Sequence, residues 1–376
     1  MVDEIETLID KKRKMRNSIG NSVILTLSGE SHGEMICATL DGLTAGLPVD
    51  EGFMAAQLSR RRPSGITDTP RVEPDDFRIV SGVFNGMTTG APVTILIPNV
   101  NVRSSDYESN RCLPRPSHAD YVAHVRHAGF EDYRGGGHFS GRVTAGIVAA
   151  GSLAIKALER RNIVIGTHIL SCGGVTDAGF RDFESEIKVL NERFFPVIDV
   201  SAGEKMTAKI ESARMKGDSV GGVIQTAVTG LDAGIGEPWF DSLEGSLARA
   251  LFAIGGIKGV EFGLGFGFAE GSGSMLNDAF TVKDGKIVTI TNNNGGINGG
   301  MSNGMPVVFN CAVKPTPSIS TEQETVDLLS REPARLMIKG RHDPAIIRRI
   351  CIVVSSMTAI VLCDMIALRY GQDYLR

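Results

Sequence analysis

No cysteine pair at metal or disulfide spacing occurs in the chain. Six thiols (Cys37, Cys112, Cys172, Cys311, Cys351 and Cys363) are scattered without a C-x-x-C motif. That argues against a zinc or disulfide scaffold and fits a reducing cytoplasm. His124 and His127 stand three residues apart, but no H-E-x-x-H or added cysteine cluster accompanies them, so no metal is expected. Positive charge is not in excess either: 39 Lys and Arg face 43 Asp and Glu, for a net charge of −4. A chain-wide basic field for nucleic acid is therefore excluded, and an anionic ligand must be met by a local group of cations. Residues 3–16 (DEIETLIDKKRKMR) lack the apolar stretch of a secretory signal. The most apolar run, 350–363 (ICIVVSSMTAIVLC), falls short of the roughly 20 residues a membrane span needs, and suits a buried helix instead.

Glycine is abundant, with 45 in 376 residues, about 12% against a usual ~7%. Many glycines sit inside apolar stretches, which implies tight turns and close backbone approaches rather than loose linkers. Patterning predicts strands at 22–28, 36–40, 77–84, 92–98, 163–170, 220–230, 257–268 and 305–313. A hairpin is expected over 280–291, turning at Asp284-Gly285. Helices are expected at 50–62 with Asp50 as N-cap, at 141–161, 204–216 and 241–254, and from about 344 to 370. Strands and helices alternate irregularly, with no repeat and no low-complexity linker. The expectation is an α+β fold, with residues 1–17 as an N-terminal extension and 18–376 as a single domain.

Five stretches could carry chemistry. Gly29-Glu30-Ser31-His32-Gly33 falls where a strand breaks, and its two glycines allow a sharp turn presenting Ser31 and His32; histidine is the natural proton carrier near neutral pH. Arg60-Arg61-Arg62 is either a solvated helix end or an oxyanion clamp. Arg115-Pro116-Ser117-His118-Ala119-Asp120-Tyr121 is followed by Arg134-Gly135-Gly136-Gly137-His138, a glycine-rich loop entering a helix and a fair anion cradle. Lys314-Pro315-Thr316-Pro317-Ser318 is a stiff extended segment with ammonium and hydroxyl donors. In Arg341-His342-Asp343-Pro344, the Asp-Pro pair could simply start a helix, which leaves Arg341 and His342 unexplained.

Taken in order, GESHG (29–33), RRRP (60–63), SHADY (117–121), YRGGG (133–137), IKGVE (257–261), KPTPSI (314–319) and KGRHDP (339–344) resemble the chorismate synthase family, from about residue 18 to the C-terminus. The resemblance implies a β-α-β sandwich, with antiparallel sheets enclosing central helices, assembled as a homotetramer. It implies conversion of 5-enolpyruvylshikimate 3-phosphate to chorismate. Phosphate leaves C3 and hydrogen leaves C6 in a 1,4-anti elimination that uses reduced FMN without net redox change. By position, His32 would assist the departing phosphate, His118 would support the anionic reduced flavin, and Asp343 would act at flavin N5, with Ser31 and Ser140 orienting the network. His138, Phe139, Ser140, Gly255, Gly256, Gly299, Lys314, Pro315, Thr316, Pro317, Ser318 and Arg341 fall at flavin-binding positions. Arg61, Arg134, Arg142 and Arg341 fall at substrate-binding ones. Such ligands are strongly anionic, so a local cationic pocket is expected.

The chain departs from the family pattern at several places. His138-Phe139 replaces a flavin-contacting Arg-Ser, Gly255-Gly256 an Asn-Ala, Thr67 an arginine, and Ala345 a cysteine. The alternative expectation is a non-catalytic or altered-ligand paralogue that still binds flavin or another anion. Fungal-type members also reduce flavin with NAD(P)H; no added domain is visible here, so an external flavin reductant is expected.

Overall fold

The computed structural model describes residues 17–376 except 64, 66, 67, 69–72, 102–110 and 339–342. Thr67, Arg341, His342 and almost all of the expected N-terminal extension therefore lie outside the described residues. Two five-stranded antiparallel sheets sandwich a helical layer. The first sheet runs in the order Ser18–Ile19, Ile24–Ser28, Met35–Asp41, Val93–Pro98 and Arg78–Ser81. The second runs Ile257–Phe262, Val307–Val313, Gly222–Thr229, Val164–Cys172 and Val175–Thr176.

The first sheet hides one face, and the period-two pattern shows why. Ile36, Ala38 and Leu40 are buried while their neighbours are partly open, and Val93, Ile95 and Ile97 match them on the paired strand. In the second sheet Val307, Phe309 and Cys311 alternate in the same way, whereas residues 165–169 and 226–228 are buried without a break, because Phe183–Glu192 packs against the other face. Between the sheets lie Thr144–Glu159 and Ile347–Tyr370. Gly141–Glu159, which contains the first, and Ile347–Tyr370 are long and apolar enough to cross a membrane, yet 78% and 100% of their most apolar windows are buried inside the protein. Small residues let them touch: a Cβ added to Gly151 would lie 2.4 Å from Ser356 Cβ. Asp364, on the second helix, accepts the backbone N–H groups of Asn21, Ser22 and Val23, which fixes the chain's entry into the first sheet.

Most expected elements are present. Asp50 caps Glu51–Arg61 by accepting Phe53 N–H, and the 284–285 turn has both residues at positive φ, as a tight hairpin requires. Three expectations need correction. The strand expected at 257–268 ends at Phe262, because Gly263 and Gly265 turn the chain into a 3-10 segment, Gly265–Glu270. Asp343-Pro344 does not start the last helix, which begins at Ile347 with Ile346 at its N-cap. The helices Asp120–Arg126 and Phe183–Glu192 were not anticipated; they are short, and the first sits inside the SHADY stretch.

Candidate active site

A cleft of about 1010 Å³ opens where the GESHG loop, the glycine-rich 134–140 segment, the 314–318 segment and the residues before the last helix meet. His32, His118 and Asp343 all line it, although they are far apart in sequence. Ser140, His138, Phe139, Gly255, Gly256, Lys314, Pro315, Thr316, Pro317, Ser318, Arg61 and Arg142 line it too. Such convergence is hard to explain as incidental packing.

The two histidines rest on glycines. Gly135 and Gly136 both have positive φ (61° and 84°). A Cβ at Gly135 would fall 2.3 Å from His32 Cε1 and 3.0 Å from Ser31 Oγ. A Cβ at Gly136 would fall 2.9 Å from His118 Cε1. Only glycine allows this backbone path and this approach together. The loops are also stitched to each other. Ser31 N–H donates to Gly137 O (3.0 Å), and His138 Nδ1 donates to Gly29 O (2.8 Å). Asn99 Nδ2 donates to the carbonyls of Glu30 and Gly33, while its Oδ1 accepts from Arg142 Nε (2.8 Å).

His118 belongs to a charged triad. Its Nδ1 donates to Asp120 Oδ1 at 2.6 Å, and Arg115 grips the same carboxylate through Nε and Nη2, each at 2.7 Å. Burial pushes the Asp120 carboxyl up, but hydrogen bonds from Arg115 and His118 and the guanidinium charge outweigh it and hold the group well below the usual carboxylate range. An ionised Asp120 keeps the proton on His118 Nδ1 and leaves Nε2 for chemistry.

Deeper in, Arg61 and Arg142 share one fully buried carboxylate, Asp75, with Arg61 Nη2 at 2.7 Å. Arg61 is thus not the solvated helix end that its sequence setting also allowed. Two guanidinium groups on one carboxylate leave a net positive charge beside the cleft. Asp343 is ion-paired with Arg349, and Lys314 Nζ donates to Ser117 O. Desolvation, followed by the Lys258 charge, lowers the Lys314 ammonium.

The lining is not the simple cationic pocket expected. Among the described residues, Arg61, Arg111, Arg115, Arg142, Lys258, Lys314 and Arg349 stand beside Glu30, Glu73, Asp120, Glu131, Asp132 and Asp343. The physical reason is desolvation: a buried guanidinium without a counter-charge is costly, so carboxylates hold the arginines in place. Three expected site residues do not line the cleft. Ser31 is fully buried behind it, Arg134 turns its guanidinium to Asp132 (2.8 Å), and Gly299 sits at the tip of the Ile297–Ser302 hairpin. Asp120, Asp75, Asn99 and Arg349 were not picked out from sequence. For Asp120 a signal existed, since it stands two residues after His118; for Asp75 and Arg349 none did.

The sequence model of the family described as chorismate synthase matches residues 23–367. A chorismate synthase of Thermococcus gammatolerans is 46% identical over 92% of this chain and 96% of its own length. One from Dehalococcoides mccartyi is 44% identical over 95% and 98%. A solved crystal structure of chorismate synthase superposes with a TM-score of 0.74 at 27% identity, covering 95% of this chain and 98% of the other.

Proposed function

The chain belongs to the chorismate synthase family, and from that premise we propose that it converts 5-enolpyruvylshikimate 3-phosphate to chorismate and inorganic phosphate in the cleft, with reduced FMN bound beside the substrate. Members of this family are lyases that eliminate phosphate. The observation that carries the proposal is the meeting of His32, His118 and Asp343 on one cleft. In the reaction the C3–O and C6–H bonds break. Phosphate leaves with the C–O electron pair, a proton is released, and the ring gains one double bond, so oxidation state is unchanged overall.

The chain's own groups have distinct roles in this reading. His32 donates a proton to the departing phosphate, while Arg61 and Arg142 hold the substrate's anionic groups. Asp343, ion-paired with Arg349, presents a carboxylate that can accept a proton. His118, oriented by Asp120, offers Nε2 toward the second ligand. Ser140 fixes the Arg142 backbone by accepting its N–H at 3.3 Å.

The cleft also fits a flavin. Its volume stands at the top of the ~300–1,000 Å³ range typical of single-ligand pockets, which suits two ligands. Thr316 Oγ1, on its wall, is buried without a hydrogen-bond partner among the described residues, an acceptor or donor in reserve for a polar ligand. His138, Phe139, Gly255, Gly256 and the 314–318 segment would hold the flavin. When bound, reduced FMN would supply electron density to the substrate and take the C6 hydrogen. His138 also donates to Gly29 O, which fastens the GESHG loop.

Six free thiols support a cytoplasmic setting, with reduced flavin supplied by a separate reductant. Exposed Trp239, Phe240, Phe266, Met275, Phe280 and Ile287 support association into a homotetramer. Calorimetric titration with FMN, in the presence and absence of substrate, separates this reading from an altered-ligand paralogue. Tight binding of FMN together with substrate is expected; failure of either ligand to bind would overturn it.

A further inference from the structure

Two adjacent arginines, Arg348 and Arg349, occupy the first turn of the Ile347–Tyr370 helix, which has no acidic residue there. The positive end of the helix dipole disfavours cations at that place. Arg349 is accounted for by its pair with Asp343. Arg348 points elsewhere. It is buried and aims at the far end of another helix, Glu51–Arg61. Its Nη1 donates to Arg60 O at 2.8 Å and its Nη2 to Arg62 O at 2.7 Å. Nη2 also pairs with Asp68, and the guanidinium stacks 4.1 Å over the Phe194 ring. The two carbonyls it holds flank Arg61, whose own guanidinium reaches the cleft through Asp75. Arg62 is tied from its other side, because its Nη1 donates to Pro74 O at 2.7 Å, next to Asp75.

Helix C-termini leave carbonyls without intrahelical partners, and a cation is favoured there. Arg348 supplies both needs at once, and a planar fork is what can span two carbonyls and a carboxylate. We propose that Arg348 is a positioning residue for the reaction: it clamps the backbone on both sides of Arg61 and thereby sets the direction of the Arg61 guanidinium toward the substrate. Arg348 itself does not line the cleft. The adjacent pair then ties two parts of the site to one rigid core helix, Asp343 through Arg349 and Arg61 through Arg348.

This inference rests on the reading of Arg61 as a substrate-binding residue, and the test separates the two. Arg348→Met, Arg61→Met and the double variant are compared by anaerobic steady-state kinetics, with melting temperature measured on the same preparations. The Arg348→Met protein should show a substrate KM raised by about 10-fold with kcat lowered much less, as expected for lost ground-state binding. In the Arg61→Met background the same change should add nothing, because the clamp acts through Arg61. Arg348→Lys, which keeps the charge but cannot bridge both carbonyls, should fall between; it also serves as the test if Arg348→Met does not fold. An unchanged KM in a folded Arg348 variant, or a KM effect that persists without Arg61, would overturn the proposal. An unchanged KM in Arg61→Met would instead remove the reading of Arg61, and the clamp's role with it.

Discussion

Gly135→Ala isolates the contact on which the site's geometry depends most. The residue has φ of 61°, and an added Cβ would stand 2.3 Å from His32 Cε1 and 2.4 Å from Nδ1. Ordinary contact begins near 3.4 Å, so either the imidazole or the loop must withdraw by about 1 Å. The left-handed backbone adds about 1–2 kcal/mol of strain for any residue with a Cβ. Displacement of a catalytic group by about 1 Å can cost on the order of 10²-fold in rate. Gly174 provides the control: its φ is 83°, and nothing lies within 4 Å of an added Cβ. Gly174→Ala therefore carries the strain without the clash. Both variants should lose melting temperature, Gly135→Ala at least as much as Gly174→Ala, and only Gly135→Ala should lose turnover per folded molecule. Equal specific activities for the two would refute the claim that His32 is held against the glycine floor.

Three further outcomes are expected. His32→Ala should fold and lose about 10²–10⁴-fold in turnover, the usual contribution of a positioned general acid; a destabilised but fully active variant would remove it from the mechanism. Asp120 and Asp75 are both held below the ordinary carboxylate range against the opposing effect of burial, by their arginines and, for Asp120, also by His118. The stability they contribute is fully present above about pH 4 and is lost as pH falls through their folded-state values, so melting temperature should drop more steeply with acid in the wild type than in Asp120→Asn; parallel curves would contradict this. Thr316→Val should leave thermal stability unchanged or higher and weaken FMN binding by about 5–10-fold, the value of one hydrogen bond, whereas unchanged affinity would show that Thr316 Oγ1 meets no flavin.

The elements legible from sequence were those whose signal is local. Asp50 at its N-cap, the 284–285 turn and the alternating 93–97 stretch depend only on neighbours along the chain. The last helix starts at Ile347 rather than at the Asp-Pro pair: Asp343 pairs with the Arg349 side chain in the helix's own first turn, and Ile346 stands at the N-cap. The strand at 257–268 was overextended for another reason, since alternation of apolar residues with glycine resembles a strand until the glycines adopt positive φ. In the site, His32 and His118 could be picked out because glycines and prolines frame them. The counter-charge of the buried Arg61 and Arg142 could not. Asp75 serves Arg61 and Arg142 across a fold that no spacing rule predicts, and Asn99 joins two loops whose proximity only the first sheet creates. A cationic pocket was expected from ligand charge alone, without the carboxylates that buried arginines require.

The central claim is that one cleft brings His32, His118 and Asp343 to bear on a phosphate-bearing substrate beside reduced flavin. Its most direct test is anaerobic turnover: purified protein, chemically reduced FMN and 5-enolpyruvylshikimate 3-phosphate, with chorismate absorbance and released phosphate followed together. Equal amounts of both products, many per protein chain and none without flavin, are expected. Folded protein that binds both ligands and yields neither product would contradict the account.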